Sequence, residues 1–259
     1  MKFVGQLCFV MITFIACMHN RASNGHLNQN GIEKPILRPI DLESYSQEFF
    51  LALRTDSPFD AYLDTIEAID LDYLETSLNT QEKKLAFWIN TYNALVQVKI
   101  KNSPESFKNI NTFFKERDLR IGGVSVSLDD VENGILRLKE IPDQEAFCSR
   151  FRVDSLDSRI HFTLNCGASS CPAIAYYASG QIQQQLNEAE GFFIEMSSSY
   201  NSEKNELRIS ELFKWFESDF GGRSGVLLLL EKYGLFDKNT NPKITYDPYD
   251  WGLSPGKYD

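Results

Sequence analysis

The feature that most constrains this chain is KKLAFWINTYNALVQVKI at residues 83–100, a helix with almost no face left for water. Thr80 offers a side-chain cap with Glu82 behind it, and Asn102-Ser103-Pro104 stops the helix, so both ends are written locally. Leu85, Trp88, Ile89, Tyr92, Leu95 and Val96 recur at three- and four-residue spacing on one face, and Phe87, Thr91, Ala94 and Val98 cover an adjacent one. Two apolar faces need partners on most sides, so this helix is expected at the centre of the fold. Between them runs Ala86, Asn90, Asn93 and Gln97, a stripe whose amides must find hydrogen-bond partners once buried.

No internal repeat and no long linker follow residue 40, so residues 41–259 read as one globular domain. Apolar periodicity predicts helices over 41–54 and 60–78, separated at Ser57-Pro58, the second breaking near Asp70-Leu71. Ser127 with Asp130 three residues on opens a helix through VENGILRLKE that Pro142 ends. RIHFTLNC at 159–166 alternates Ile160, Phe162 and Leu164 with Arg159, His161 and Thr163, which predicts a half-buried strand, and Gly167-Ala168-Ser169-Ser170 then turns the chain. A helix begins near Ser179, a short strand is expected at 207–209, and Ser210 caps a helix that Gly221-Gly222 ends. After a last helix, GVLLLLEKYG, Pro248 and Gly252 preclude regular structure in a tail whose aromatics dock on the body. The expected class is α+β: a mostly helical single domain with a small, largely antiparallel sheet and one central buried helix.

Residues 1–16 carry one early Lys2, a short apolar run and a small residue at the end, the pattern of a removable signal peptide. Phe14-Ile15-Ala16-Cys17 resembles the bacterial lipobox, which makes Cys17 the expected lipidation site and 17–40 a polar, Asn-rich tether. The expected address is therefore a membrane-anchored lipoprotein of the cell envelope, the alternative being plain secretion into a soluble exported form. A net charge of −10 repels phosphate backbones and anionic lipid, so nucleic acid is excluded as partner and membrane contact is left to the N-terminal lipid. Beyond Cys17 the body holds Cys148, Cys166 and Cys171, enough for one disulfide and one spare thiol after export.

FWINTYNALV at 87–96, SLDDVENGILR at 127–137, RIHFTLNCGASSCPAI at 159–174, LFKWFESDFG at 212–221 and YDWGLS at 249–254 together resemble, in that order, the domain of unknown function 547 family. The resemblance implies no established reaction; relatives occur in exported bacterial proteins and in plant proteins with coiled-coil extensions. The family pattern usually has His after the Glu of the second block, where this chain has Asn133.

His161 is the one His of the body, which removes metal sites built on two or more imidazoles; no metal and no cofactor is expected. On an extended strand His161 shares a face with Thr163 and Asn165 while Cys166 points away, so Cys171, beyond the turn, is the better partner for the imidazole. One reading is a cysteine-dependent hydrolase or acyl transferase with Cys171 as nucleophile, His161 as base and Glu132 or an amide of Asn90 or Asn93 orienting the ring. The other is a non-catalytic envelope module in which Cys166 and Cys171 form a disulfide clamping the turn, and Asn90, Asn93, Arg159 and Cys166 line a cleft for a small molecule or an envelope protein. Asn90 and Asn93 also read as internal glue, Arg159 is expected to pair with Glu132, and Trp88, Trp215 and Trp251 are expected as core or core-edge anchors.

Overall fold

The computed structural model describes residues 40–258; the expected signal peptide, the expected lipidation site Cys17 and the expected tether up to residue 39 lie outside the described residues. Side-chain oxygens open four of the α-helices among the described residues. Asp41 accepts from the Glu43 N–H at the start of α1 (Leu42–Arg54), and after α2 (Asp60–Ala68) Asp70 accepts from Asp72 and Tyr73 at the start of α3 (Leu71–Ser77). The break near Asp70 falls where the sequence puts it. Thr80 caps α4 (Gln81–Asn102), which ends before Ser103-Pro104, and Asn109 caps α5 (Ile110–Lys115).

Every residue of α4 from Leu85 to Ile100 is buried, so it is the central helix its pattern demands. It is flanked by α1 and by the turn at 130–136, and beyond α5 a short hairpin of β1 (Leu119–Ile121) and β2 (Val124–Val126) packs on α2. Ser127 and Asp130 form a reciprocal capping box: Ser127 Oγ accepts from the Asp130 N–H at 3.0 Å, and Asp130 Oδ2 accepts from the Ser127 N–H at 2.9 Å. The helix they open is π-helical over Asp130–Leu136 and stops there, short of Pro142, with Leu138 at φ 59° and α6 (Glu145–Phe151) following. Its last turn is closed by the Arg137 N–H donating to the Glu132 carbonyl, five residues back, at 2.9 Å.

Residues 159–166 are not a strand. Ser158–Phe162 is a 3-10 turn: Asp157 accepts from the Arg159 N–H, and Thr163 Oγ1 donates to the Ile160 carbonyl at 2.8 Å. The alternation has another cause here. Ile160 joins the apolar cluster around α4, while Phe162 joins a second cluster with Phe193, Leu207, Phe213 and Phe220, so both sides of the segment are interior.

That second cluster is roofed by α7 (Ile182–Ser197) and by the sheet of β3 (Ser198–Asn201), β4 (Glu206–Ser210) and β5 (Lys243–Asp247), with α8 (Leu212–Trp215) and α9 (Gly222–Lys232) in the crossover. β4 is central, antiparallel to β3 through Ser198↔Ile209 and parallel to β5 through Leu207↔Ile244. The sheet is thus mixed, and the tail contributes a strand before Pro248 ends it. Gly221 at φ 85° is the left-handed stop expected of it. Residues 248–258 then cross back, the Ser169 N–H donating to the Gly252 carbonyl at 2.8 Å and the Ile174 N–H to the Lys257 carbonyl at 2.7 Å. No helix among the described residues is long and apolar enough to cross a membrane.

Candidate functional site

Burial forces the amides of α4 to choose partners, and they choose backbone. Asn90 donates to the Tyr177 carbonyl at 2.8 Å and accepts from the Tyr177 N–H at 2.9 Å. Asn93 donates to the Thr163 carbonyl at 2.9 Å and accepts from the Asn165 N–H at 2.8 Å. Both are internal glue, holding the 163–177 segment against the central helix. Asn165 passes the constraint on, its side chain donating to the Pro172 carbonyl at 2.6 Å and accepting from the Gly167 N–H at 2.9 Å.

The loop so pinned is closed by a Cys166–Cys171 disulfide with 6.0 Å between Cα atoms. In this form Cys171 carries no thiolate, and the nucleophilic role expected of it has no free sulfur. The bond has an asymmetric setting. Cys171 Sγ receives the Cys166 N–H at 3.0 Å, the Ala168 N–H at 3.3 Å and the Tyr249 O–H at 3.2 Å, whereas Cys166 Sγ has the same Tyr249 hydroxyl at 3.3 Å. Lys257 Nζ donates to the Cys171 carbonyl at 2.7 Å and to the Ser169 carbonyl at 3.2 Å.

His161 pairs with Asp219 and not with a sulfur. It is 3% exposed, stacked on Phe216 at 3.9 Å between ring centroids, and its Nε2 lies 2.9 Å from Asp219 Oδ2. The same oxygen accepts from Arg137 Nε at 2.6 Å, and the guanidinium lies over the Phe216 ring at 4.5 Å. Burial lowers the imidazole pKa despite the Asp219 hydrogen bond, so His161 is neutral and donates Nε2–H. Burial pushes the Asp219 carboxyl up, but the hydrogen bonds from His161 and Arg137 outweigh it and hold the group well below the carboxylate range. Arg137 also donates to Asn133 Oδ1 at 2.6 Å, and Asn133 Nδ2 to Asp129 Oδ1 at 2.9 Å. Asn133, in the family's His position, is therefore a hydrogen-bond bridge here.

Glu132 faces the other way on the π-helical turn. Tyr92 donates its hydroxyl to Glu132 Oε2 at 3.0 Å, and Tyr249 is close enough for the carboxyl to perturb it. Burial raises the Glu132 pKa, outweighing that hydrogen bond and the Arg137 charge. Arg159 does not pair with Glu132. Its Nε donates to Asp157 Oδ1 at 2.9 Å, and its other nitrogens reach Gln183 Oε1 and Asn187 Oδ1, both at 2.7 Å, because Asp157 stands two residues before it at the head of the 3-10 turn.

The sequence-predicted residues thus fall into three neighbouring groups: Asn90 and Asn93 under the loop, Cys166 and Cys171 with Tyr249 beside Glu132, and His161 with Asp219. Arg159 stands apart, its side chain against Gln183 and Asn187 of α7. Sequence reasoning missed Tyr92, Arg137, Asp219 and Tyr249 as partners, although all four lie in blocks it had singled out. Trp88 is fully buried, but Trp215 and Trp251 are 42% and 39% exposed, stacked on each other and in ring contact with Tyr249, so they are a surface platform rather than core.

A cavity of about 830 Å³ opens beside the disulfide. One wall is the 169–173 loop with Ser169, Ser170 and Cys171; the other is the outward face of α7, where Phe192 and Met196 are 56% and 70% exposed. Ser198, Ser210, Asp247 and Lys257 give it a polar margin. Among the described residues no three His, Cys, Asp or Glu side chains are grouped as metal ligands would be.

A family model described as "Protein of unknown function, DUF547" matches residues 76–194. That stretch contains the whole of α4, Glu132, Arg137, His161 and both cysteines, and it ends before Asp219 and Tyr249. No curated protein and no solved structure matches the chain.

Proposed function

Since the chain belongs to the DUF547 family through residues 76–194, a family whose description assigns no activity, we propose that it is an exported, lipid-anchored envelope module that binds a small amphipathic molecule without transforming it. The observation that carries this reading is the 830 Å³ cavity, where Phe192, Phe193 and Met196 of α7, beside Gln185 and Glu188, face hydroxyl-bearing loop residues. That volume suits a small ligand, and an apolar wall with a few polar groups suits an amphipathic one. The reactive groups nearby are already engaged: the two sulfurs with each other, and the neutral His161 imidazole with Asp219. The alternative cysteine hydrolase requires a reduced Cys171 within reach of an imidazole, and His161 is committed elsewhere. Nothing further favours that reading.

Nile red, a neutral solvatochromic probe, tests the groove. Saturable emission in the wild type and at least a fivefold weaker apparent affinity in a Phe192→Ser, Met196→Ser double variant are expected; equal binding in both overturns the assignment. The export half rests on residues 1–17 and is tested by the mass of the mature protein. An N-terminal Cys17 with added acyl mass is expected, and a mature chain retaining Lys2 overturns it.

A further inference from the structure

Donors aimed at a disulfide sulfur are poorly used, because a bonded sulfur is a weak acceptor. Cys171 Sγ nevertheless collects three: the Cys166 and Ala168 N–H groups and the Tyr249 O–H, at 3.0, 3.3 and 3.2 Å. Their full strength would be realised on an anion, since hydrogen bonds to an ionised acceptor are about twice as strong as neutral ones. The Lys257 ammonium on the Cys171 carbonyl adds positive charge at the same residue. Cys166 has no backbone donor of this kind, and it is half-buried where Cys171 is 1% exposed. The less buried residue of the pair and the sulfur prepared to leave are thus different ones. With only five residues of sequence separation, the bond also closes a small loop, where cross-linking stabilises the oxidised fold least.

We propose that Cys166–Cys171 is an exchangeable redox centre, a function beyond binding, which oxidises substrates bearing a pair of thiols. A substrate thiolate bonds to Cys166 Sγ; the Cys166–Cys171 bond breaks and its electron pair leaves on Cys171, held by the two amides and Tyr249. The substrate's second thiolate then attacks its own sulfur in the mixed disulfide, expelling Cys166. The substrate leaves as a disulfide, oxidised by two electrons that now reside on the two protein sulfurs. Of the two protons given up by the substrate, one goes to Cys166 and one to solvent. A stabilised leaving thiolate speeds the first step and makes the pair more oxidising.

Two glutathione molecules serve as the thiol pair in the test. The full-length chain with Cys8, Cys17 and Cys148 changed to Ser is equilibrated without denaturant across glutathione buffers, quenched by alkylation and read by intact mass and peptide mapping. Reduction is expected within the glutathione range, with the trapped adduct on Cys166. Tyr249→Phe is expected to shift the midpoint three- to tenfold toward the disulfide. A bond reduced only after denaturation, an adduct on Cys171, or an unmoved midpoint in folded Tyr249→Phe overturns the proposal. The adduct position is read on the parent chain, so it decides even where Tyr249→Phe fails to fold. Nile red binding is scored on the same samples: loss of binding with exchange intact overturns the groove alone, and the converse overturns the redox centre alone.

Discussion

Replacing Asn93 by Ala removes both hydrogen bonds by which α4 holds the 163–165 segment, and the cost can be worked from the geometry. The Thr163 carbonyl and the Asn165 N–H would lose partners at 2.9 and 2.8 Å in a place where Asn93 is 0% exposed. Each buried backbone group left unpaired costs about 1–3 kcal/mol, and a water entering the vacated volume would offset part of it, so about 2–4 kcal/mol is expected for the two. For a domain of this size each kcal/mol corresponds to about 2–4 °C, giving a fall in melting temperature of about 4–16 °C. Urea unfolding followed by tryptophan emission measures the free energy, and hydrogen exchange locates it. The Asn165 and Gly167 amides should lose protection, because Asn165 also holds Gly167 and Pro172, while the Thr80-capped end of α4 keeps its protection. A loss below about 1 kcal/mol, or exchange raised evenly along α4, would refute the idea that these amides act as local fasteners.

Three further outcomes follow from buried charge and backbone geometry. Asp219→Asn leaves the Arg137 charge uncompensated in an interior site and should cost about 3–5 kcal/mol in urea unfolding at pH 7. Because the depressed Asp219 pKa stabilises the fold in full above the ordinary carboxylate value of 3.8 and progressively less below it, the deficit should shrink as pH falls below that point; a pH-independent deficit counts against the ion pair. Glu132 and His161 pull oppositely between their ordinary values of 4.5 and 6.5. The raised Glu132 pKa makes stability fall as pH climbs above 4.5, whereas the lowered His161 pKa makes it grow as pH climbs toward 6.5 and level off beyond it. Glu132→Gln removes only the first effect, so unfolding free energies at pH 5 and pH 7 should rise more steeply with pH than in the wild type, and equal slopes would contradict the assignment. Gly167→Ala meets a φ of 89° and puts a Cβ 2.5 Å from Ile100 Cδ1. A loss of about 2–4 kcal/mol by thermal unfolding is expected, and a neutral variant would mean the loop is free to shift.

How much of this was legible follows from where each signal lives. The central helix, its Thr80 cap, the amide stripe and the Ser127-Asp130 box are local or periodic, and the residues themselves announce them. The 159–166 segment misleads because alternation reports two environments without saying that both are interior; the Asp157 cap and Thr163 back-bond decide for a tight turn. The π register over 130–136 is invisible to periodicity, since one extra residue in a turn leaves no composition behind. β5 needs β4 beside it, a partner 37 residues earlier in the register Glu206↔Lys243, and alone its KITYD reads as tail. Of the candidate site, the cysteines, His161, Glu132 and the two Asn stood out by residue type. Their partners Tyr92, Arg137, Asp219 and Tyr249 did not, because only chain crossing brings a hydroxyl from residue 249 onto sulfurs at 166 and 171.

The widened turn at 130–136 makes residue count itself a determinant of chemistry. An α-helix advances about 100° per residue, so excising a single position there would let the turn relax to ordinary winding and swing everything beyond it round the axis. Glu132, which meets Tyr92, and Arg137, which meets Asp219, stand five residues apart across that turn, one more than ordinary winding would stack. Length variation in this one turn would thus rewire two polar systems at once, with no change to either set of side chains.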